Sequence, residues 1–299
     1  MPNDKLKSYF HLHFIVFIWG FTAVLGALIT LDALPLVWFR MSIAVGLTFV
    51  YARIAKIPLG VTWPVLLRFL VAGLVIALHW LTFFKAIKES NISVTLACLS
   101  TGAFFAALLE PIFFGRKVIW YEVLFGLFVI GGLYIIFSFE GNYLYGIALA
   151  LTSAFLSASF SIINGKFAHQ FSPVVISLYE LLGGVFFFTL YLLFSGSLTA
   201  EFFLVSPSDW MWLFLLGSFC TAYAFIASVQ VMKFLSPYTV MLTINMEPIY
   251  GIILAVIVFD DKEKMSLPFY VGAAIIVITV ILNGILKNYS DRAKERLQG

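Results

Sequence analysis

Ten apolar runs, each close to the length of a bilayer crossing, follow one another along the chain. About 20 helical residues span a bilayer core, and in lipid such a run satisfies its backbone groups as a helix. The runs are Leu12–Ile29, Leu34–Ala52, Pro64–Phe84, Ile92–Phe114, Val118–Phe139, Tyr143–Ile163, Pro173–Phe194, Trp210–Met232, Tyr238–Phe259 and Leu267–Leu286. Since only 11% of the residues are charged, the sequence predicts an all-α integral membrane protein with ten transmembrane helices.

Lysines and arginines gather at alternate ends of these runs, which orients a membrane protein because cytoplasmic loops are enriched in them. One set of ends carries Lys5, Lys7, Arg53, Lys56, Arg116, Lys117, Lys166, Lys233, Lys287, Arg292, Lys294 and Arg296, and the other carries Lys85, Lys88, Lys262 and Lys264. We expect both termini to be cytoplasmic, in a multi-pass protein of a bacterial inner (plasma) membrane. The basic residues form no clustered stripe, which argues against nucleic-acid binding.

Several residues recur at a nearly constant offset between the two halves of the chain. The pairs are Pro35 with Pro173, Lys88 with Lys233 and Gly126 with Gly272. We divide the chain into a first five-helix repeat at residues 1–139, a second at residues 140–286 and a cytoplasmic tail at residues 287–299. Because five crossings are an odd number, the second repeat must be inverted in the membrane. Inverted repeats are a common scaffold of secondary transporters.

The ninth run, Tyr238–Phe259, has a carboxylate and a proline near its centre. A charge in mid-membrane costs a few kcal/mol, so Glu247 is expected to face a cavity or a partner. Pro248 also frees a backbone carbonyl one turn earlier, and lipid offers that group no donor. The centre of this run is therefore the strongest candidate for a functional site.

Glu247 is the leading candidate residue. Its carboxylate would bind a cationic or amino group, or would take up a proton, because loss of water favours the neutral form of a carboxyl. The alternative is a structural hydrogen bond to a neighbouring helix. Asn245 and Tyr250 flank Glu247, with Tyr250 one turn away on the same face. Both are candidates either to orient a ligand or to hold helices together.

In the repeat register, Ser100 and Thr101 of the fourth run align with Asn245 and Met246 of the ninth. The first half therefore has two hydroxyl residues at the positions that immediately precede Glu247 in the second half. If the inverted halves face each other, these hydroxyls lie across from Glu247. Ser100 and Thr101 are accordingly added to the candidate substrate-binding residues.

Three aromatic-ring residues lie away from the run ends and complete the candidate site. His79 changes charge near physiological pH, so it is a candidate to relay protons or to hold a carboxylate, or else a packing residue. Trp80 lies beside it, and Trp19 lies deep in the first run. Both tryptophans are candidates for a cavity wall, whereas the others lie at predicted helix ends, where indoles prefer the interface.

Three charged residues inside other runs are interpreted as structural. Arg40 in the second run and Glu180 in the seventh are expected to brace the bundle through ion pairs or helix-end carbonyls. Glu110 lies one turn from the end of the fourth run and is expected to pair with nearby basic residues. Glu110 and Pro111 repeat the letters of Glu247 and Pro248, but they are out of register with them.

The chain resembles the EamA-type transporters of the drug/metabolite transporter superfamily over essentially its whole length. The matching features are Trp19–Gly20, Pro35 followed by Arg40, Ala86–Ile87–Lys88, Pro248 followed by Asp260–Asp261, and Gly126 with Gly272. The resemblance implies ten helices, cytoplasmic termini, a central cavity and alternating-access export or exchange of small metabolites. It implies no single substrate, since these transporters are chemically diverse.

The leading hypothesis is a secondary transporter of a small organic metabolite such as an amino acid or amine, with protons as a candidate coupling ion. A carrier of phosphorylated sugars or nucleotide sugars is an alternative, but it would need paired basic residues in mid-membrane to replace phosphate hydration. A membrane enzyme is a further alternative, but the chain has no HExxH-type spacing of metal ligands. We therefore expect no catalytic residues, no metal and no cofactor, with the substrate and the lipid bilayer as partners.

Overall fold

The computed structural model describes residues 2–115, 120–139, 141–235 and 237–298, and every regular element in these ranges is helical. The α-helices are α1 Pro2–Leu28, α2 Ala33–Ile54, α3 Trp63–Glu89, α4 Ile92–Leu99, α5 Gly102–Phe114, α6 Trp120–Phe139, α7 Leu144–Phe167, α8 Pro173–Phe194, α9 Pro207–Gly217, α10 Ala224–Val231, α11 Pro237–Ile244, α12 Glu247–Phe259 and α13 Leu267–Gln298. A π-helical segment, Ser218–Tyr223, joins α9 to α10.

Within the described residues, eight helical segments are long and apolar enough to cross a membrane. They are Leu6–Leu28, Ala33–Ile54, Trp63–Glu89, Ile92–Phe113, Leu144–Phe167, Pro173–Phe194, Pro207–Val231 and Leu267–Leu286. Two shorter apolar helices, Leu124–Ile136 and Glu247–Phe259, fall in the fifth and ninth predicted runs. The first residue of that fifth run, Val118, lies outside the described residues. The chain is thus a multi-pass integral membrane protein.

The outer surface of the bundle is apolar. Large side chains such as Phe194, Ile112 and Leu267 are 88%, 76% and 76% exposed. Water-soluble monomers rarely expose apolar patches on this scale, whereas a lipid-facing surface requires them. The polar side chains of interest are instead buried between the helices.

Two of the membrane segments are broken at positions that the repeat register aligns. In the first half, α4 ends at Leu99 and α5 begins at Gly102. In the second half, α11 ends at Ile244 and α12 begins at Glu247. The two breaks are therefore related by the same offset of 145 residues that relates Lys88 to Lys233.

Both breaks are tightened by a short backbone hydrogen bond. The N–H of Thr101 donates to the carbonyl of Cys98 at 3.1 Å, and the N–H of Met246 donates to the carbonyl of Thr243 at 3.0 Å. In the second half Pro248, near the start of α12, explains the break because it lacks an N–H. In the first half the Thr101 hydroxyl also bonds the Cys98 carbonyl, at 2.7 Å, and such side-chain bonds compete with the helical ladder.

Contacts between a helix of one half and a helix of the other have counterparts in which the two halves swap roles. Helix α1 packs against α12, and its counterpart α7 packs against α4 and α5. Helix α2 packs against α9, and its counterpart α8 packs against α3. Helices α6 and α13, the last of each half, pack against each other, as do α2 and α8. This pairing is the pattern that a two-fold relation between the repeats produces.

At one end of the bundle, carboxylates join the two halves. Asp209, at the start of α9, accepts hydrogen bonds from the Thr30 N–H at 2.8 Å and the Thr30 hydroxyl at 2.6 Å. Nearby, the Lys88 ammonium donates to the carbonyl of Ile29 at 3.1 Å. We call this region, with the Glu263 contacts described next, the Asp209 end.

Glu263, in the turn after α12, caps helix α4 of the other half. Its Oε1 accepts from the Ile92 N–H at 3.0 Å, and its Oε2 accepts from the Ser93 N–H and hydroxyl, each at 2.9 Å. A negative charge at a helix N-terminus also interacts favourably with the helix dipole. Glu263 is only 5% exposed, so this tie is shielded from solvent.

Close helix packing gives a first prediction. A Cβ added at Gly73 on α3 would overlap the carbonyl oxygen of Glu180 on α8, whereas a Cβ at Gly46 would meet nothing within 4 Å. We expect Gly73→Ala to destabilise the protein by about 1–3 kcal/mol, because packed backbones must separate. Gly46→Ala should be neutral or stabilise by up to about 1 kcal/mol.

Thermal unfolding of both variants in the same detergent measures this difference. Equal midpoints for Gly73→Ala and Gly46→Ala would show that α3 and α8 do not approach as closely as described.

Candidate functional site

A cavity of about 70 Å³ lies between the two halves at the level of the helix breaks. Its walls come from α1, α2, α3, α4, α7, α10, α11 and α12 and from Met232 just after α10. The lining residues are Trp19, Thr22, Arg40, Ile76, His79, Trp80, Phe83, Leu99, Ser157, Phe160, Ser161, Phe225, Ser228, Met232, Val240, Ile244 and Glu247. Most of the wall is apolar or aromatic, with a few hydroxyls and two charged groups.

Four of the eight candidate substrate-binding residues line this cavity: Glu247, His79, Trp80 and Trp19. The other four do not. Arg40, which the sequence suggested as a bracing residue, is also in the wall. The structure therefore brings together the two candidate proton-coupling residues and adds a cation to them.

Glu247 is the first residue of α12, immediately after the break. A carboxylate there is favoured by the positive end of the helix dipole. Among the described residues no group donates a hydrogen bond to it, and the Arg40 guanidinium attracts it without direct ion-pair contact. Glu247 is 6% exposed and lines the cavity. It is thus a buried acceptor that is available to a ligand or a proton.

The guanidinium of Arg40 has hydrogen bonds along one edge and an aromatic ring against one face. Its Nε donates to the Thr221 hydroxyl at 2.6 Å, and its Nη2 donates to the Cys220 carbonyl at 3.4 Å. The guanidinium carbon lies 4.0 Å from the centre of the Trp80 ring, a favourable cation–π arrangement. Nη1 has no hydrogen-bond partner among the described residues.

The π-helical segment explains why Arg40 finds these partners. Both Thr221 and Cys220 belong to Ser218–Tyr223, where the wider turn displaces backbone groups from the regular ladder. The Thr221 hydroxyl spans five residues to the Leu216 carbonyl at 2.7 Å. Single π-turns are frequent at functional sites. Nothing in the local sequence marks this segment, so sequence analysis missed it.

His79 is oriented by Ser153 on α7. Its Nδ1 lies 2.9 Å from the Ser153 carbonyl oxygen, which only accepts, and the Ser153 hydroxyl donates to the His79 carbonyl at 3.0 Å. Nδ1 also lies 2.8 Å from the Ser153 hydroxyl. When the ring proton is on Nδ1, the ring donates to the Ser153 carbonyl and Nε2 is left as a hydrogen-bond acceptor.

Aromatic rings build the apolar wall. Phe160 and Phe225 stack with centroids 5.4 Å apart, and Trp80 lies 5.7 Å from Phe225. These rings come from both halves of the chain. They form a surface suited to an apolar part of a ligand.

The remaining four candidates lie off the cavity. The Ser100 and Thr101 hydroxyls bond carbonyls of their own helix, at 3.3 and 2.7 Å. Tyr250 packs against Phe17 of α1 with ring centroids 5.5 Å apart. Asn245 lies in the turn between α11 and α12, is 2% exposed, and its Nδ2 has no acceptor among the described residues. Neighbouring helices, which one-dimensional spacing does not record, decide these orientations.

Glu180 and Glu110 are buried away from the cavity. Glu180 is fully buried and accepts a hydrogen bond from the Asn164 amide at 3.2 Å. Glu110 is 7% exposed. The basic residues expected to pair with it, Arg116 and Lys117, lie outside the described residues.

The part of the chain that the structure describes contains no group of three or more histidine, cysteine, aspartate or glutamate residues that could hold a metal ion. The two charged residues of the cavity are instead of opposite sign and come from different halves.

A family model of EamA-like transporters matches residues 6–138 and 144–285, one match in each half of the chain. The chain belongs to the EamA-like transporter family. The cavity of this EamA-like chain lies where the two matched stretches meet.

Solved structures share the fold of this EamA-like chain. One, described as "Crystal structure of protein", has a TM-score of 0.69 at 16% sequence identity and covers 94% of this chain and 98% of its own. The search of curated proteins found no match.

The anchoring of Arg40 gives a second prediction. Thr221→Val removes a hydrogen bond to a buried charge and should lower stability by about 1.5–3 kcal/mol. Thr152→Val is the matched control, because Thr152 is exposed on α7 and bonds its own helix. Thermal unfolding in detergent measures both changes, and equal effects would contradict an anchoring role for Thr221.

Proposed function

We propose that this chain is a secondary transporter that moves a small organic solute bearing an amino group, an amino acid or amine, by alternating access. The observation that carries the proposal is a buried carboxylate, Glu247, that accepts no hydrogen bond from the described residues. It lies in a cavity that both repeats line at their broken helices. Binding sites at breaks in mid-membrane helices are typical of transporters built from inverted repeats. Membership of a transporter family supports the same function.

The architecture that we propose has ten crossings. Eight of these crossings are the long apolar segments. The ninth is α6 and the tenth is α11 together with α12, and these two contain the shorter apolar helices Leu124–Ile136 and Glu247–Phe259. The first repeat is residues 1–139, the second, inverted repeat is residues 140–286, and residues 287–299 are a tail. Both termini are cytoplasmic, and the membrane is a bacterial plasma membrane. The positions of lysine and arginine support this orientation.

Glu247 has two proposed roles in transport. It binds the ammonium group of the solute, and when the solute is absent it takes up a proton that is carried back. His79, in the wall of the same cavity, is the second proposed proton-coupling residue. Exchange of a proton and a solute at one carboxylate couples their movements without a further site. Neither role makes or breaks a covalent bond in the solute, so no catalysis is proposed.

The alternative cargo, a phosphorylated sugar or a nucleotide sugar, finds less support. Such a solute carries at least one phosphate, and its hydration is replaced by several basic side chains. Arg40 is the only lysine or arginine among the described residues of the cavity wall. Glu247 in the same cavity would repel the anion.

Reconstituted protein tests the proposed transport. In proteoliposomes with an imposed pH gradient, a panel of amino acids and amines should include a solute that is taken up or exchanged. Glu247→Gln should reduce this flux about tenfold or more, because it removes a charge-assisted contact. Glu180→Gln is the matched control, since Glu180 is buried away from the cavity, and it should retain the flux.

Two outcomes would contradict this proposal. Flux of phosphorylated sugars alone would support the alternative cargo, and no flux of any solute under any gradient would remove the transporter mechanism. Equal losses in Glu247→Gln and Glu180→Gln would show that the effect is structural.

We also propose that the Asp209 end is the outer gate and that it is closed in this conformation. Two shielded carboxylates, Asp209 and Glu263, join the halves there. At the opposite end, a described hydrogen bond between the halves is a neutral one, from the Tyr179 hydroxyl to the Leu59 carbonyl at 2.7 Å. This difference favours opening towards the cytoplasm.

Cysteine labelling tests the gate. In a Cys98→Ala, Cys220→Ala background, Ser157→Cys places a thiol in the cavity wall. A membrane-impermeant maleimide added outside should label it slowly, and Glu263→Ala should accelerate labelling several-fold. Glu201→Ala, an exposed glutamate on the same side, is the control and should have no effect. Unchanged labelling in Glu263→Ala would contradict the proposed gate.

A further inference from the structure

A second cavity lies at the surface of the bundle and is separated from the central one by α10. Its volume is about 780 Å³, within the range of about 300–1,000 Å³ that ligand pockets have. Helix α10 presents Phe225 and Ser228 to the central cavity and Ile226 and Gln230 to the second one. The two spaces thus lie against different faces of one helix. We call the second cavity the Lys233 groove, after the lysine that lines its end.

A matching groove is present in the other half of the chain. It has a volume of about 770 Å³ and is lined along α3 by Leu74, Leu78, Leu81, Lys85 and Lys88. The residues 145 positions later all line the Lys233 groove, and they are Phe219, Tyr223, Ile226, Gln230 and Lys233. This offset also relates the two helix breaks. The twofold architecture therefore builds both grooves, and we call the one in the first half the Lys88 groove.

The Lys233 groove is polar at one end and apolar at the other. At the polar end, where α8 begins and α10 ends, the wall has Ser172, Gln230 and Lys233. Towards the middle of the membrane it has Ile226 and Phe219, and Phe219 is 60% exposed, so the groove opens towards lipid. A phospholipid has the same polarity, because its headgroup lies at the interface and its chains run inward.

The two grooves differ in charge at corresponding positions. In the Lys88 groove, Lys85 and Lys88 are accompanied by the carboxylates of Asp32 and Glu89. Asp32 immediately precedes α2, and the residue that immediately precedes α8 is Ser172. Among the described residues, the wall of the Lys233 groove contains no aspartate or glutamate. Its lysine therefore gives the Lys233 groove a net positive charge, which complements an anionic headgroup.

We propose that the Lys233 groove binds one anionic phospholipid, with the phosphate at Lys233 and an acyl chain along Ile226 and Phe219. A free phosphate ion would leave the apolar part of the groove unfilled, and the cationic group of a zwitterionic lipid would be repelled by Lys233. Binding of this lipid requires neither the proposed transport nor its solute. In the proposed orientation the polar end is cytoplasmic, the side on which basic pockets between membrane helices bind anionic headgroups.

The bound lipid would also contact the π-helical segment. Phe219 and Tyr223 of this segment line the groove, whereas Thr221 and Cys220 bind Arg40. The lipid therefore packs against the segment that positions Arg40. Because it binds the folded chain, it should raise the thermal stability of the protein.

Two lipids that differ only in the headgroup test the proposal. The full chain in detergent is titrated with phosphatidylglycerol or with phosphatidylcholine of identical acyl chains, and bound lipid is counted by native mass spectrometry. One phosphatidylglycerol should bind about five- to tenfold more tightly than phosphatidylcholine, as expected for one charge-assisted contact near the membrane surface. Phosphatidylglycerol should also give the larger increase in the midpoint of thermal unfolding.

Charge variants of the two grooves form a matched set. Lys233→Gln should remove most of the preference for phosphatidylglycerol, and Lys233→Arg should keep it. Lys85→Gln removes a lysine from the Lys88 groove and should leave the preference unchanged. Ser172→Asp introduces the carboxylate that precedes α2 in the first half and should also remove the preference. Aspartate and serine are similarly favourable at a helix N-cap, so this variant should fold.

A bulky side chain tests the apolar part of the groove. Ile226→Trp fills it and should weaken phosphatidylglycerol binding several-fold. Leu81→Trp, at the corresponding position of the Lys88 groove, is the control and should not change it. If Ile226→Trp does not fold, the charge variants and the two lipids still decide the question.

Three results would overturn the inference. Equal affinity of the unmodified chain for the two lipids would mean that the groove does not recognise the headgroup. Equal losses in Lys233→Gln and Lys85→Gln would mean that surface lysines attract the anionic lipid without a defined site. A dimer that is lost in Ile226→Trp, with phosphatidylglycerol binding unchanged, would assign the groove to a second copy of the chain.

Discussion

The backbone hydrogen-bonding requirement in lipid is the constraint on which this architecture depends. A helix break in the bilayer is tolerated only where protein or a cavity surrounds it. The two breaks, after Leu99 and after Ile244, therefore belong in the interior, where the halves meet. The cavity lies at the level of these two related interruptions, one with a proline and one with side-chain hydroxyl bonds to the backbone.

Opposite charges on opposite halves give the cavity its polarity. Arg40 is held by the π-helical segment of the second half, and Glu247 sits at the start of α12, where the helix dipole favours a carboxylate. The two groups attract each other, but they are not in direct ion-pair contact. Both therefore remain available within one small space. A direct salt bridge would have satisfied both charges and left an electrostatically neutral wall.

The two ends of the bundle differ in the hydrogen bonds that join the two halves. At the Asp209 end, hydrogen bonds to carboxylates cross between the halves, and such bonds are stronger than neutral ones. A related fold is shared by a solved structure at only 16% identity. The fold is therefore shared although most side chains differ.

The sequence by itself determined the membrane class, the family and the twofold repeat, and it predicted a functional site around Glu247. These follow from apolar run length, residue offsets and a proline, which are properties of the chain in one dimension. Only the tertiary structure decided that Arg40 lines the cavity and that Tyr250, Asn245, Ser100 and Thr101 do not. The reason is that neighbouring helices set which way a side chain points near a break. The Tyr250 ring packs on Phe17 of α1, and the hydroxyls of Ser100 and Thr101 bond their own backbone.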